Sequence, residues 1–248
     1  MSGHSKWHNI REKKGKVDAQ RGKIFTKIAK EIFIAVKEGG PDPDTNYRLK
    51  ICIGNAKEVN MPADNIKRTI EKAKGAASGE GYEQMTYEGY GPNGVAVIIE
   101  AATDNRNRTA GEVRNIFSKY GGNLGEIGCV GWMFSKKGLI TVDKTKANEE
   151  TLMELALNEG AADFKVEETY YEIETEPTDL HKVKIALEGA KISIESSDII
   201  MMPHNTVKLT KDQAGQVLKF MDILEDHDDI QKVHANFDIP DEVMKELA

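Results

Sequence analysis

Apolar positions recur at helical spacing in three early stretches of the chain and then give way to alternation. From about residue 18 to 37, Phe25, Ile28, Ala29, Ile32 and Val36 share one helical face, and Gly39-Gly40-Pro41 ends the run. Asp44 and Thr45 are candidate caps for a second helix carrying Leu49, Ile53, Ala56 and Val59. Asn60-Met61-Pro62 breaks that helix, and Pro62 suits the first turn of a third, which runs through Lys74 to Gly75. Three helices with short connections predict a small bundle. The tight turn between the second and third is a weak sign of a helix-turn-helix, because any helical hairpin has one.

A small-residue linker at 76–81 leads into strands at 83–90 and 95–102 around the turn Gly91-Pro92-Asn93-Gly94. A helix at 108–119, a glycine-rich stretch and a strand at 130–134 follow. Residues 139–200 then read as strand (139–142), helix (148–159), strands (164–167 and 170–175), helix (178–189) and strand (192–200). That is βαββαβ, the ferredoxin-like order. A strand at 206–209, a helix at 211–224, a strand at 230–236 and a short terminal helix complete the pattern. The segments 80–132 and 206–248 each lack a complete sheet, so they are expected to pair with each other. The predicted fold is therefore multi-domain, α and α+β. A basic arm plus three-helix bundle (1–79) precedes a discontinuous α+β domain (80–132 and 206–248), which carries an inserted ferredoxin-like βαββαβ domain (133–205).

Charge adds a polarity to this layout. The 248 residues carry a net charge of −7. Residues 1–80 nevertheless hold 17 Lys/Arg against 10 Asp/Glu, while 81–248 hold 17 against 31. A basic front on an acidic body points to a polyanionic partner. Within the arm, His4, Lys6, Trp7, His8, Arg11, Lys13, Lys14, Lys16, Arg21, Lys23 and Lys27 combine cations with aromatic rings that could stack on unpaired bases. A plain solubilising tail is the competing explanation, and Trp7 weighs against it.

A second patch, Asn105, Arg106, Asn107 and Arg108, joins a strand end to a helix start and offers two guanidinium forks toward phosphate. An equally good account has Asp104 and Thr109 capping the helix while both arginines pair with carboxylates of the acidic body. The glycines at 121, 122, 125, 128 and 131 follow a helix and precede a strand, the reverse of a dinucleotide fold. Gly125-Glu126-Ile127-Gly128 matches a four-residue backbone clamp, though a tight loop is the simpler account.

No phosphate loop, zinc-protease or serine-hydrolase motif is present, so catalysis, a cofactor and a small-molecule substrate are not expected. The acidic run 225–229 could attract a divalent cation but reads better as a solvated loop, and no metal site is expected. Cys52 and Cys129 have no spacing partners, and the longest aliphatic run, Val95 to Ile99, is far too short to span a bilayer. Together with an N-terminus unlike a signal peptide, this predicts a cytoplasmic protein with no membrane partner, expected to be a monomer.

Several of these strings resemble the YebC family. Gly3-His-Ser-Lys-Trp7 with Lys13-Lys14, Asp18 and Arg21-Gly-Lys23 is similar to its opening signature. So are Asn60-Met-Pro62, Asp64-Asn-Ile66, Tyr87-Glu-Gly-Tyr-Gly-Pro92, Thr103-Asp-Asn-Arg-Asn-Arg-Thr109, Gly121-Gly-Asn-Leu-Gly125 and Met202-Pro203. Tyr47 stands where the family often has Pro, and Cys129 where it often has Ser. The resemblance implies three domains and non-catalytic regulation of gene expression. It implies either DNA-binding transcriptional regulation or, as in members similar to the mitochondrial translational activator of cytochrome oxidase, action on the ribosome. An extended basic arm suits irregular rRNA. The segment 64–68 makes a poor recognition helix, with Glu71 soon after Lys67 and Arg68. The ribosome is therefore the expected target, DNA the alternative and an enzyme a remote third.

Overall fold

The computed structural model describes residues 19–77, 81–240 and 242–243. It is a mixed α and β structure with seven α-helices among the described residues. Residues Trp132–Asn205 form one compact unit, and the described residues on either side of that segment form another.

The first unit opens with helices α1 (Ala19–Gly39), α2 (Tyr47–Glu58) and α3 (Ala63–Gly75). Their apolar stripes meet in a core of Ile32, Phe33, Val36, Leu49, Cys52, Ala56, Met61, Ile66 and Ala73. The cap of α2 is neither Asp44 nor Thr45 but Asn46. Its Oδ1 accepts the Leu49 N–H at 3.0 Å, and its Nδ2 donates to the carbonyls of Ala35 and Gly40, each at 2.7 Å. One buried amide thus closes the start of α2 and holds the end of α1.

Strands β1 (Glu83–Tyr90) and β2 (Ala96–Thr103) form the expected hairpin, paired from Glu83 opposite Thr103 to Tyr90 opposite Ala96. Helix α4 (Arg106–Lys119) and the two-residue strand β3 (Asn123–Leu124) follow. After the intervening unit come β8 (Val207–Lys208), α7 (Lys211–Glu225), β9 (Ile230–Ala235) and β10 (Phe237–Asp238). Strand β9 lies antiparallel beside β2, so the two chain segments share one sheet of order β3-β1-β2-β9. Val113 and Phe117 of α4 and Val217, Phe220 and Leu224 of α7 bury its inner face with Val97, Ile99 and Val233. Phe117 and Phe220 meet edge to face at 5.0 Å.

The glycine-rich stretch is the tight loop expected of it, and the strand expected at 130–134 begins only at Phe134. Gly121 and Gly128 take left-handed backbone conformations (φ 78° and 92°). The buried Glu88 carboxylate accepts the N–H groups of Val130 at 3.0 Å and Gly131 at 2.6 Å. Burial alone would raise the Glu88 carboxyl, but its backbone donors Gly128, Val130 and Gly131 outweigh that and hold it below its ordinary value.

The second unit contains β4 (Phe134–Asp143), α5 (Glu149–Asn158), β5 (Ala161–Val166), β6 (Tyr170–Thr175), α6 (Leu180–Gly189) and β7 (Ser196–Pro203). Its sheet order is β5-β6-β4-β7 with every neighbouring pair antiparallel. Leu152 and Ala156 of α5 and Val183 and Leu187 of α6 pack with Ile140, Val142, Tyr171 and Ile173, so both helices cover one sheet face. The last strand starts later than its apolar pattern suggests. Ile192 and Ile194 pack on the helix-side core as part of the connection, and β7 reaches Pro203 because β4 already begins at Phe134.

Replacing Asn46 by Ala is expected to cost about 2–3 kcal/mol, since it removes a cap and leaves buried carbonyls without donors. Asp44→Ala should stay within about 0.5 kcal/mol. Urea unfolding of the two variants checks the assignment, and equal losses would refute it.

Candidate nucleic-acid interface

Helix α4 begins where β2 ends, and three residues set that junction. Asn105 leaves the strand with extended backbone and accepts the Arg108 N–H at 3.1 Å, so Asn105 is the cap rather than Asp104 or Thr109. Thr103 and Thr109 face inward and are fully buried. The Thr103 hydroxyl oxygen accepts the Asn105 N–H at 2.9 Å and lies 2.8 Å from the Thr109 hydroxyl.

These groups converge on Asp229, at the turn into β9. Its Oδ1 accepts the Lys30 ammonium at 2.5 Å. Its Oδ2 accepts the Arg108 guanidinium and the Thr109 hydroxyl, both at 2.7 Å. Thr109 has a single hydroxyl hydrogen, which it directs to the Asp229 carboxylate or to the Thr103 hydroxyl oxygen. The side chains of Lys30 and Asp229 are each only 6% exposed. Burial alone would raise the Asp229 carboxyl. Hydrogen bonds from Lys30, Thr109 and Arg108 overcome it and hold the group well below the usual carboxylate range.

Lys30 is the last of a ladder on α1. Lys23 donates to the Asp226 carbonyl at 3.1 Å, Lys27 to the Glu225 carbonyl at 2.7 Å and Lys30 to the Asp228 carbonyl at 2.8 Å. Spacing of four and three residues puts all three on one helical face, at the carbonyl-rich C-terminal end of α7. Two of the cations expected to meet nucleic acid therefore dock one helix of this unit onto another.

The remaining expected contacts divide three ways. Arg106, 62% exposed, pairs with Glu83 at 2.6 Å, and Arg108 pairs with Asp104 at 2.9 Å as well as with Asp229. Arg21 and Asn107 are exposed. His4, Lys6, Trp7, His8, Arg11, Lys13, Lys14 and Lys16 lie outside the described residues. The structure thus brings Asn105, Arg106, Asn107 and Arg108 together at one helix start, and of these Arg108 lines an open cleft of about 730 Å³ with Lys23, Tyr82, Glu112 and His227. Lys30 and Asp229 were not among the expected site residues. The only signal for them was the spacing of Lys23, Lys27 and Lys30 and the end of an acidic run.

Glu112, His227 and Asp229 offer three donor atoms within 4.8 Å of one another. Their chemistry does not suit a metal ion. Asp229 is already held by Lys30, Arg108 and Thr109. His227 Nδ1 accepts the Asp229 N–H at 3.1 Å, which leaves its Nε2 hydrogen to Glu112 at 3.0 Å. No helix among the described residues is long and apolar enough to cross a membrane.

Asp229→Asn would leave the buried Lys30 ammonium without its counter-charge, and a loss of about 3–5 kcal/mol is expected at neutral pH. The Asp229 carboxyl is depressed in the folded state, so its contribution is present above about pH 4, its unfolded value. It is lost as pH falls through the folded value. Melting temperatures from pH 7 to pH 2 should therefore fall steeply at the acid end for the wild type and less so for the variant. Parallel curves would contradict this account.

Comparison with known proteins places the chain. Residues 5–76 match the TACO1/YebC protein N-terminal domain, and residues 82–237 match the TACO1/YebC second and third domain. A probable transcriptional regulatory protein of Pelotomaculum thermopropionicum is 56% identical over 97% of this chain and 100% of its own length. One from Natranaerobius thermophilus is 53% identical over 99% of each chain. The crystal structure of a conserved hypothetical protein from Aquifex aeolicus superimposes with a TM-score of 0.83 at 47% identity, covering 92% of this chain and 95% of that one. With both parts of its length matched in order and the fold shared, the chain belongs to the TACO1/YebC family.

Proposed function

We propose that this chain is a non-enzymatic, cytoplasmic regulator of gene expression that binds rRNA on the ribosome as a monomer. Its contacts are the basic arm and the Asn105–Arg108 segment. The observation that carries this reading is the construction of the α4 start. The Asn105 cap, with Thr103, Thr109 and Asp229 behind it, fixes the Arg108 guanidinium on Asp229 at the cleft wall and leaves Arg106, paired with Glu83, and Asn107 on the surface. Two polar side chains are thereby presented beside helix N–H groups, a favourable setting for phosphate. The acidic body limits indiscriminate adsorption to other polyanions. In this reading the bundle is an N-terminal domain, and the Trp132–Asn205 unit is a ferredoxin-like module inserted into a discontinuous α+β domain.

DNA-binding transcriptional regulation is the second reading, favoured by the names of the relatives, probable transcriptional regulatory proteins. Sucrose-gradient sedimentation of the tagged chain from a DNase-treated lysate, at two salt concentrations, separates the two. Comigration with ribosomes is expected. It should be lost when Lys13, Lys14 and Lys16 are all changed to Glu, and weakened by Arg106→Ala with the melting temperature nearly unchanged. A protein that stays at the top of the gradient after crosslinking, yet retains duplex DNA binding, would favour transcription instead.

A further inference from the structure

The bundle holds more cations than its own packing uses. Between residues 19 and 77 there are 12 Lys/Arg and 7 Asp/Glu. On α1, Lys23, Lys27 and Lys30 are committed to α7 and Asp229, Lys37 donates to the carbonyls of Ala76 and Ala77, and Arg48 of α2 pairs with Glu38. Lys50 and Lys57 of α2 are exposed with no carboxylate within 4.0 Å among the described residues, and α3 adds a denser set. Lys67, Arg68 and Lys72 are exposed, and none has a carboxylate within 4.0 Å among the described residues. Glu71, their neighbour, approaches Lys74 instead, at 4.0 Å. Arg68 and Lys72 stand one turn apart, where like charges repel unless something anionic lies between them.

Position gives this patch a direction. Lys72 lines a hollow whose other walls include Tyr82 and Asp104. Tyr82 and Asp104 also line the cleft that contains Arg108, and Arg106 begins α4 two residues after Asp104. Lys72 and, one turn before it, Arg68 are therefore connected to the α4 start along one surface through Tyr82. The larger cleft also carries Glu112, Asp226 and Asp228, which disfavour a polyanion within it, whereas Asp104 at its junction with the hollow is neutralised by Arg108 at 2.9 Å.

We infer that Lys67, Arg68 and Lys72, continuing past Tyr82 to Arg106, form a phosphate track for an unpaired RNA strand. The inference rests on the proposed nucleic-acid reading and adds to it an element that the sequence pattern argued against. A path that leaves a helix flank, crosses a hollow and ends at a helix start suits a flexible strand better than a stiff duplex.

The test uses the full chain and a labelled, unstructured 20-nucleotide RNA, with a 20-base-pair DNA duplex alongside, titrated by fluorescence anisotropy over a range of salt. The triple variant Lys67→Gln, Arg68→Gln, Lys72→Gln should lower the slope of log affinity against log salt by about 2, at roughly 0.7 per lost phosphate contact. A slope change of that size corresponds to about a hundredfold weaker binding at 0.1 M salt. Lys208→Gln with Lys219→Gln, which removes two exposed cations elsewhere in the same unit, should leave slope and affinity unchanged. Arg68→Gln alone should show about one third of the triple variant's slope change. A triple variant with the wild-type slope overturns the track, and the proposed function survives that result if the Lys13, Lys14, Lys16 variant still loses RNA. Equal losses for RNA and duplex DNA overturn the preference for an unpaired strand. A wild-type chain that binds no RNA overturns both readings.

Discussion

One buried carboxylate organises the first unit. Asp229 receives an ammonium from α1, a guanidinium and a hydroxyl from α4, and its own main chain is held by the Ala102 N–H donating to its carbonyl at 2.8 Å. A charge so far from water is tolerable only when its lone pairs are filled, so helix, strand end and turn must arrive together. Such a cluster adds little net stability over well-packed apolar side chains. What it imposes is geometry, because this charge is satisfied by donors that α1 and α4 bring to one turn.

That geometry sorts the cations of the molecule by role. Arginines two residues apart at the start of α4 differ only in what lies behind them. Arg108 turns in to Asp229, and Arg106 reaches along the surface to Glu83. On α1 the lysine ladder is drawn to the carbonyl end of α7, where the helix dipole and the acidic residues after it favour positive charge. The surplus of the basic front therefore appears on α2 and most densely on α3, although the α1 lysines look equally available in the sequence.

Much of the fold was legible because its elements are long enough to carry a period. The apolar stripes of α1 to α3, the β1–β2 hairpin and the βαββαβ order of the second unit all follow from spacing and from glycine and proline stops. The errors cluster at element ends. Asp44, Thr45 and Asn46 have similar cap chemistry, as do Asp104 and Asn105, and the choice depends on which carbonyls the turning chain leaves to be satisfied. Strands β3 and β10 are two residues each, too short to show alternation. The strand expected from Val130 starts only at Phe134 because Glu88, some forty residues upstream, accepts the N–H groups of Val130 and Gly131.

The candidate site divides along the same line. Sequence by itself determined the family, the order of helices and strands, the basic front on an acidic body, and the cluster of Asn105, Arg106, Asn107 and Arg108 at a strand-to-helix junction. These depend on residue type and local spacing, which the chain carries wherever it goes. Tertiary structure decided which cations have carboxylate or carbonyl partners within the unit. Lys30 and Asp229 are 199 positions apart, and a lone lysine in a helix and an aspartate at the end of an acidic run each look like solvated surface. Their meeting depends on the docking of α1 against the turn after α7, which engages Lys23, Lys27 and Arg108 within the unit, while Arg106 reaches Glu83 and Lys67, Arg68 and Lys72 have no carboxylate within 4.0 Å among the described residues.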